Sequence, residues 1–371
     1  MRVLMLTTNN TLIDGINRHI VSISKGLKAL GVEVAVCIAM ADGDLAEVLE
    51  GAGIRVYALD CENGHDARML WRFWKVMRSF KPDIVHVHVL ALVERIVLSY
   101  FFRRVPKVFT THGISDPVPV ETFRQKLENF ILRMTPLRNV HNIYISEGVR
   151  RHYGGNGSVV YNPIEVKGRY KGHKLHDELG VSADIPIIGT ACRFADPPKK
   201  PLVFVEIMCQ VLKQVPSAHA VLIGDGETEM KQKMRNLISS YKMEPRIHWL
   251  GYRKEAPKLT GELSMFIMTS RWEGMPTALL EAMSQSTPIA FLKGEGGLVD
   301  LAEMDEKYGG IAVVAESPSE LASGIVKCLD DKETCGRMAE RALDVVKKHF
   351  SLEVNALKLL DAYNNIVGEK K

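Results

Sequence analysis

Two carboxylates eight residues apart, Glu273 and Glu281, lie in the most informative stretch of the sequence, S-R-W-E-G-M-P-T-A-L-L-E-A-M at 270–283. The stretch follows a predicted buried strand, and Pro276 suits the first position of a helix. The loop therefore presents Glu273 and the backbone N–H groups from Gly274 onward at a helix N-terminus, which favours phosphate or sugar oxygens. Glu281 lies roughly 10–12 Å further along the helix axis, so the two carboxylates can contact two ends of one elongated ligand but cannot share a metal ion. The alternative is that Glu273 caps the helix and Glu281 pairs with a surface cation.

A cation-rich loop, R-F-A-D-P-P-K-K, follows the predicted strand at 185–192 and contains Arg193, Lys199 and Lys200. Cations at the carboxyl end of a strand suit a diphosphate, because arginine can bind it through two hydrogen bonds and lysine supplies a point charge. The alternative is a solvated strand-to-helix loop, which is the usual interpretation of a lone basic loop.

Glycine and histidine occupy other strand ends. Gly224 and Gly226 form a G-D-G turn, a weak signal because tight strand-to-helix turns use glycine routinely. Gly15 begins the first predicted helix without a G-x-G-x-x-G pattern, which argues against a nicotinamide or flavin dinucleotide enzyme, although one glycine still allows a phosphate to approach the backbone. His112 follows another strand in T-H-G, where an imidazole can donate or accept a hydrogen bond near neutral pH. The alternative for His112 is a structural histidine.

Three further patterns resemble functional motifs. His86 and His88 lie on one face of a strand, but no third ligand is evident and we expect no metal site. Asp42 and Asp44 resemble a metal-binding D-x-D pair, yet they open a helix and indicate an N-cap.

The helix at 69–80 interleaves aromatic and cationic side chains. These are Trp71, Phe73, Trp74 and Phe80 with Arg72, Lys75 and Arg78, and the cations Arg68 and Lys81 flank the helix at its two ends. The helix fits a membrane-surface face or an ordinary helix with snorkelling cations, and both alternatives stay open.

Short β-branched runs alternating with amphipathic helical stretches must position these groups. The runs are at 2–6, 33–38, 55–59, 84–89, 107–111, 142–145 and 158–161, then at 185–190, 218–223, 247–250, 265–268, 288–291 and 311–314. The polar stretch 165–184 between the two series predicts a linker or hinge. The pattern predicts an α/β fold of two doubly wound Rossmann-like domains that face a cleft, with ligands at the carboxyl ends of the strands.

Composition agrees with two globular domains. The chain has 371 residues, 46% of them hydrophobic, and a net charge of only +4, which is too weak for a dedicated nucleic-acid binder. Residues 1–170 hold 22 basic and 16 acidic residues, so the basic excess belongs to the N-terminal half. The six cysteines form no C-x-x-C pattern, and we expect reduced thiols. With no signal-like N-terminus and no long apolar run, a cytoplasmic protein is predicted. Peripheral association with the inner face of the cytoplasmic membrane stays open as an alternative to a freely diffusing protein.

Together these pieces resemble family 4 of the retaining GT-B glycosyltransferases over nearly the whole chain. The E-x7-E element matches Glu273 and Glu281, and the basic pair matches Arg193 and Lys199. The remaining motifs follow in order: D-I-V-H-x-H at 83–88, T-H-G at 111–113, S-E-x-V-R at 146–150, V-x-N at 160–162 and G-D-G at 224–226. Each motif is weak alone, and the ordered set is specific.

The resemblance implies roles for the site residues. Arg193 and Lys199 would hold the donor diphosphate and stabilise the leaving group without metal, and Glu281 would bind the ribose. Glu273 and the amides of Gly274, Met275 and Pro276 would bind the donor sugar. The Gly15 loop would close over the phosphates, and His112 would lie near the reacting carbon. The chain departs from the family in having Asp14-Gly15 where relatives often have two glycines. The spacing from Arg193 to Lys199 is also one residue longer than usual, so Lys200 is an alternative lysine.

The resemblance also implies the activity and the domain roles. The chain is expected to transfer a hexose-type sugar, with retention, from a nucleotide-diphosphate donor, UDP-linked, to a glycan or lipid-linked saccharide in surface polysaccharide biosynthesis. Residues 1–165 would bind the acceptor, 166–350 the nucleotide sugar, and 351–371 would cross back to the N-terminal domain. No cofactor and no nucleic-acid partner are expected, while the basic N-terminal domain suits contact with an anionic membrane. The alternatives are a UDP-sugar epimerase on a similar fold and an inactive nucleotide-sugar-binding protein.

Overall fold

The protein consists of two compact units, seen in a computed structural model that describes residues 1–11, 15–40, 43–61, 68–114, 132, 134–166, 168–170 and 172–368. One unit comprises Met1–Pro163 and Leu352–Lys371, and the other comprises Ile164–Ser351. Each has its own parallel sheet and its own hydrophobic core. The predicted α/β architecture of two Rossmann-like domains is confirmed.

The N-terminal unit is built on a seven-stranded parallel sheet in the order β3-β2-β1-β4-β5-β6-β7. Its strands are β1 (Arg2–Thr7), β2 (Glu33–Met40), β3 (Arg55–Cys61), β4 (Ile84–Val87), β5 (Lys107–Thr111), β6 (Val140–Tyr144) and β7 (Ser158–Val159). The helices described between them are α1 (Gly15–Ala29), α2 (Leu45–Gly51), α3 (Arg68–Phe80), α4 (Leu92–Tyr100) and α5 (Glu147–Tyr153). Strands buried on both faces read as continuous apolar runs, which is why the sequence pattern located most of them closely.

The C-terminal unit is built on a six-stranded parallel sheet in the order β10-β9-β8-β11-β13-β15. Its strands are β8 (Ile187–Ala191), β9 (His219–Ile223), β10 (Ile247–Gly251), β11 (Met265–Met268), β13 (Ile289–Leu292) and β15 (Val313–Ala315), beside a small pair of β12 (Trp272–Glu273) and β14 (Glu295–Gly296). Its helices are α6 (Lys174–Leu179), α7 (Pro201–Gln214), α8 (Thr228–Ser240), α9 (Ala256–Leu259), α10 (Thr277–Ser284), α11 (Gly297–Lys307), α12 (Pro318–Asp330) and α13 (Lys332–Val345). A 3-10 turn at Thr260–Glu262 and a π-helical segment at Val346–Phe350 complete it.

The last helix, α14 (Leu352–Gly368), belongs to the N-terminal unit. It packs closely on α1, since a Cβ added to Gly26 would lie 2.7 Å from the Cβ of Ala356. The fully buried Tyr363 carries its hydroxyl to within 2.5 Å of Nδ1 of His86 on β4. The end of the chain therefore completes the N-terminal core.

Two expectations from the sequence are wrong. Cys328 and Cys335 form a disulfide, whereas reduced thiols were expected; they lie seven residues apart across the junction of α12 and α13, which brings their Cα atoms to 5.3 Å. The stretch 165–184 is more than a linker, because it contains α6 with its buried Leu175. In the part of the chain that the structure describes, no helix is long and apolar enough to cross a membrane.

Candidate functional site

The predicted donor residues other than Gly15 lie after the carboxyl ends of strands in the C-terminal sheet. Strand β8 lies between β9 and β11, so the loops that follow these three strands are neighbours. The chain leaves β8 in one direction to reach β9 and returns on the other side to reach β11, which is a topological switch point, the usual ligand position in such sheets. Arg193, Lys199 and Lys200 follow β8, the G-D-G turn follows β9, and Glu273 follows β11.

The two glycines of the G-D-G turn allow this turn to lie directly against the loop that carries Arg193. Gly224 has φ +136°, and a Cβ there would lie 1.9 Å from the carbonyl oxygen of Cys192. A Cβ on Gly226 would lie 2.4 Å from the carbonyl oxygen of Phe194, whose N–H donates to the carbonyl of Asp225 at 2.8 Å. The structure thus gives Gly224 and Gly226 a positioning role that is independent of any ligand contact.

Lys199 and Glu273 form an ion pair at this edge. The distance from Nζ of Lys199 to Oε1 of Glu273 is 2.5 Å, and their side chains are only 24% and 12% exposed. Ser270 donates its hydroxyl to the same carboxylate oxygen at 2.6 Å. The structure therefore joins the two predicted motifs, the basic loop and the E-x7-E element, through one carboxylate. The helix-capping alternative for Glu273 is not what the structure shows, because its carboxylate binds Lys199 and Ser270.

Residues 269–271 tie the basic loop to the end of β11. The hydroxyl of Thr269 lies 3.1 Å from the carbonyl oxygens of both Lys199 and Lys200, and the N–H of Arg271 donates to the carbonyl of Pro198 at 2.8 Å. Sequence reasoning did not assign a role to Thr269 or Ser270. The signal was available, since two hydroxyl residues directly follow a buried strand and precede Glu273 by three and four positions.

The loop around Gly274–Pro276 is held from the other side by a glycine-rich turn after β13. The N–H of Gly297 donates to the carbonyl of Gly274 at 3.1 Å, and a Cβ on Gly297 would lie 2.8 Å from Cα of Met275. Pro276 occupies the N-cap of α10, one position earlier than predicted. Glu281 lies in the second turn of α10 and is partly buried, while Gly274 and Met275 precede the helix as predicted.

The predicted His112 lies in a cluster of imidazoles in the N-terminal unit. Nε2 of His112 is 2.9 Å from Nδ1 of His88, whose ring stacks on that of His86 at a centroid distance of 4.2 Å. His86 also bonds the Thr110 hydroxyl at 2.6 Å through Nε2 and Tyr363 through Nδ1. The His19 ring lies 5.1 Å from that of His112. These contacts link α1, β4, β5 and the C-terminal helix.

Burial keeps the four imidazoles neutral. It lowers the pKa of His19 to about 4, opposed by a hydrogen bond that His19 donates to the side chain of Asn162, which raises the pKa. Burial lowers the pKa of His86 to about 3, with a further contribution from His19. The pKa values of His88 and His112 are held well below the ordinary value, first by burial and then by the neighbouring imidazoles. Within the described residues, no group of three His, Cys, Asp or Glu side chains could hold a metal ion.

Three other predicted features have simpler surroundings. Gly15 is the exposed first residue of α1, while Asp14 lies outside the described residues. Asp44 occupies the N-cap position of α2, as expected, but makes no side-chain capping bond there; Asp42 is not among the described residues. On α3 the aromatic residues divide between two faces: Phe73 and Phe80 are buried, whereas Trp71 is 58% exposed.

Comparison with known families decides the class of protein. The sequence model described as Glycosyltransferase Family 4 matches residues 13–167, and the one described as Glycosyl transferases group 1 matches residues 185–331. The chain carries the two domains of a glycosyltransferase. All of the donor-side residues named above except Gly15 fall in or beside the second match, and Gly15 and His112 fall in the first.

Two named relatives and one solved structure show what this glycosyltransferase is similar to. It is 25% identical to the UDP-Gal:alpha-D-GlcNAc-diphosphoundecaprenol alpha-1,3-galactosyltransferase of Escherichia coli, over 82% of this chain and 81% of that protein. It is 24% identical to the alpha-monoglucosyldiacylglycerol synthase of Acholeplasma laidlawii, over 97% of each chain. The crystal structure of Anabaena Alr3699/HepE in complex with UDP and glucose matches 98% of this chain and 100% of that one, with a TM-score of 0.80 and 21% identity, which shows a shared fold.

Proposed function

We propose that the protein transfers a hexose-type sugar from a UDP-linked donor, with retention, to a glycan or lipid-linked saccharide in surface polysaccharide biosynthesis. The observation that carries this proposal is the Lys199–Glu273 ion pair at the switch point of the C-terminal sheet, on the same loop as the exposed Arg193. A cationic loop and a carboxylate side by side suit a ligand that is an anionic diphosphate at one end and a polyhydroxylated sugar at the other.

Two kinds of likeness support the choice of donor and acceptor. A structural neighbour has been solved with UDP and glucose, and one relative is named for a UDP-galactose donor. That relative is named for a diphosphoundecaprenol-linked acceptor, another is a diacylglycerol glycoside synthase, and a third, 23% identical, is a lipopolysaccharide core biosynthesis glycosyltransferase of Rhizobium meliloti. All three names refer to a saccharide joined to a lipid, which supports a lipid-linked acceptor for this chain.

The proposed chemistry assigns each donor-side residue one task. Arg193 and Lys199, with Lys200 beside them, bind the diphosphate and stabilise the negative charge that develops on it as the glycosidic bond breaks. The carboxylate of Glu273 accepts a hydroxyl of the sugar, and Glu281 accepts the ribose hydroxyls. The leaving phosphate oxygen takes the proton of the attacking acceptor hydroxyl on the same face of the sugar, so retention needs no protein nucleophile and no metal. For the N-terminal residues the proposal keeps the expected tasks: His112 acts near the reacting carbon, and Gly15 allows a phosphate to approach the backbone.

The test is turnover of a panel of UDP-, GDP- and dTDP-sugars with EDTA present, first without acceptor and then with lipid-linked saccharides, following released nucleotide and sugar identity. Release of UDP from one UDP-sugar, with an unchanged anomeric configuration in the product, is the expected result. Conversion of the donor into an epimeric UDP-sugar would replace the proposal with an isomerase. No turnover and no binding of any nucleotide sugar by folded protein would also refute it.

We further propose that the outer face of α3 contacts an anionic membrane. Trp71 and Trp74 stack at a centroid distance of 5.2 Å, and Lys75 and Arg78 lie 4.8 Å and 5.5 Å from their rings. Aromatic rings flanked by cations suit the boundary between lipid headgroups and acyl chains. Arg72 is not part of this face, because it donates to the main-chain carbonyl groups of Leu59 and Asp60.

Cosedimentation with vesicles of phosphatidylglycerol and phosphatidylcholine tests the membrane proposal. Changing Lys75, Arg78 and the exposed Lys81 together to Glu should abolish binding. The matched control changes three exposed lysines of the C-terminal unit, Lys213, Lys233 and Lys254, to Glu and should bind as the wild type does. Equal binding by both variants would contradict a role for α3.

A further inference from the structure

The end of strand β11 places two buried hydroxyl groups beneath the proposed donor site. Thr269 and Ser270 are 5% and 2% exposed. They point to different partners: the Thr269 hydroxyl faces the main chain of the basic loop, and the Ser270 hydroxyl faces the carboxylate of Glu273. Neither belongs to the groups assigned above to diphosphate or sugar binding.

Thr269 contacts the part of the basic loop whose backbone conformation is strained. Lys200 has φ +48° and ψ 56°, a left-handed conformation that is unfavourable for a residue other than glycine, and it is the N-cap of α7. The Thr269 hydroxyl lies 3.1 Å from the carbonyl oxygens of Lys199 and Lys200, which flank the Cα atom of this strained residue. A strained backbone persists only where its surroundings hold it in place. Thr269 therefore helps to fix the backbone from which the side chains of Lys199 and Lys200 extend.

Ser270 acts on the other member of the ion pair. Oε1 of Glu273 receives the Ser270 hydroxyl at 2.6 Å and the Lys199 ammonium at 2.5 Å. A carboxylate oxygen has two lone pairs, so these two donors occupy Oε1 and direct a further donor to Oε2. Lys199 has three N–H donors, and its bond to Glu273 leaves others for an anionic ligand.

We propose that Thr269 and Ser270 are the positioning residues of the donor site: Thr269 holds the backbone that carries Lys199 and Lys200, and Ser270 orients Glu273 so that Oε2 accepts a hydroxyl of the donor sugar. The proposal rests on the proposed function, because it assigns the diphosphate to the lysines and the sugar to Glu273. The two hydroxyls therefore act on different parts of the donor. Thr269 affects binding of the nucleotide diphosphate, which is called the nucleotide end below, and Ser270 affects binding of the sugar, which is called the sugar end.

Ser270→Ala tests the sugar end. Its affinity for UDP alone, measured by calorimetry, should equal that of the wild type, while kcat with the preferred UDP-sugar should fall about tenfold to a hundredfold, the usual effect of losing a buried hydrogen bond to a charged group. Among 3-, 4- and 6-deoxy analogues of that donor, one should be used equally well by wild type and variant, because the hydroxyl that Glu273 accepts is already missing. Ser264→Ala, which removes a hydroxyl at the opposite end of β11, is the matched control.

Thr269→Val tests the nucleotide end. The change keeps the shape of the side chain and removes only the hydroxyl, so UDP affinity itself should fall about tenfold, and Thr269→Ser should restore it. Thr287→Val is the matched control, since Thr287 is equally buried in the same unit and donates to the carbonyl of Thr260. Thermal melting of all five variants shows whether each is folded at the assay temperature.

The outcomes separate this inference from the proposed function. A wild type that turns over no nucleotide sugar refutes the function. An active wild type with Ser270→Ala and Thr269→Val both equal to it refutes the positioning roles alone. The inference is also overturned if both variants lose UDP affinity and sugar turnover to the same extent as their controls, because a general loss of packing then explains them.

Discussion

The two units each carry a cluster of polar side chains, neutral in the N-terminal unit and charged in the C-terminal unit. In each, polar side chains gather near the carboxyl ends of adjacent parallel strands, and in the N-terminal unit His19 of α1 and Tyr363 of α14 join them. The N-terminal unit gathers four neutral imidazoles and a tyrosine hydroxyl, and His19, His86 and His88 among them are nearly inaccessible. The C-terminal unit gathers an ion pair that solvent partly reaches. The two clusters differ in burial. Desolvation disfavours a charged imidazole in the N-terminal cluster, whereas Lys199 and Glu273 are partly exposed and neutralise each other as an ion pair.

This difference teaches where an anionic ligand can bind. A site that binds a diphosphate must keep its cations charged before the ligand arrives, and Lys199 beside Glu273 meets that condition. The histidine cluster does not meet this condition, because protonating one imidazole would place a buried positive charge among three neutral imidazoles. The cluster suits hydrogen bonding and positioning of His112, and the ion pair suits charge stabilisation.

The largest expected effect is acid destabilisation of the N-terminal unit. His19 and His86 have folded pKa values of about 4 and 3, against about 6.5 in an unfolded chain. At a pH between the folded and the unfolded pKa, each of these histidines is protonated in the unfolded chain but neutral in the folded unit. The free energy of unfolding is therefore greatest above about pH 6.5 and decreases as the pH falls. Each histidine contributes about 1.4 kcal/mol per pH unit, and the two together about 3.

Hydrogen exchange at pH 7.5 and at pH 5 measures this effect separately in the two units. Amides of β1, β4 and β5 should lose protection on acidification more steeply than those of β8, β9 and β11. His86→Gln should reduce the slope, because it removes one titrating group. An equal loss of protection in both sheets would contradict the contrast drawn between them.

The next effect sharpens the charged side of the comparison. Glu273→Gln removes the charge that holds Lys199 and should lower kcat about a hundredfold, as loss of a buried charged hydrogen bond does. Glu281→Gln, on the same loop-helix element but assigned to the ribose, should mainly raise the KM for the donor with kcat little changed. Steady-state kinetics with the preferred UDP-sugar separates them. Identical kinetic defects in the two variants would remove their distinct roles.

The smallest effect concerns the hydroxyl that closes the histidine cluster. Tyr363→Phe leaves Nδ1 of His86 without its partner in a fully buried site and should lower the free energy of unfolding by about 1–2 kcal/mol. Tyr308→Phe removes a similar bond to His349 at a partly exposed position and should cost less. Urea denaturation of both variants gives the comparison. A larger loss for Tyr308→Phe would show that burial does not set the strength of these pairs.

Local patterns were sufficient to predict the elements of the fold. Strands such as 107–111 and 265–268 have the predicted bounds, because each is a short buried run between polar residues. Alternation of such runs with helices was enough for the two-domain architecture. Pro276 lies one residue from its predicted helical position, which is the ordinary uncertainty of a helix end.

Contacts between distant residues were beyond such patterns. His86 and Tyr363 are 277 positions apart, so no spacing rule could bring them together. The pairing of Lys199 with Glu273 needed the order of strands β8 and β11, which the sequence does not state. The disulfide of Cys328 and Cys335 depended on a helix junction rather than on a cysteine motif.

Titration of UDP into the wild type, Lys199→Ala and His112→Ala tests the central claim most directly. The claim is that the nucleotide diphosphate binds at the charged strand edge of the C-terminal unit and not at the neutral histidine cluster. Calorimetry should show UDP affinity at least about tenfold weaker in Lys199→Ala, as loss of a charge-assisted contact requires, and unchanged in His112→Ala. Unchanged affinity in Lys199→Ala, or a loss confined to His112→Ala, would contradict the account.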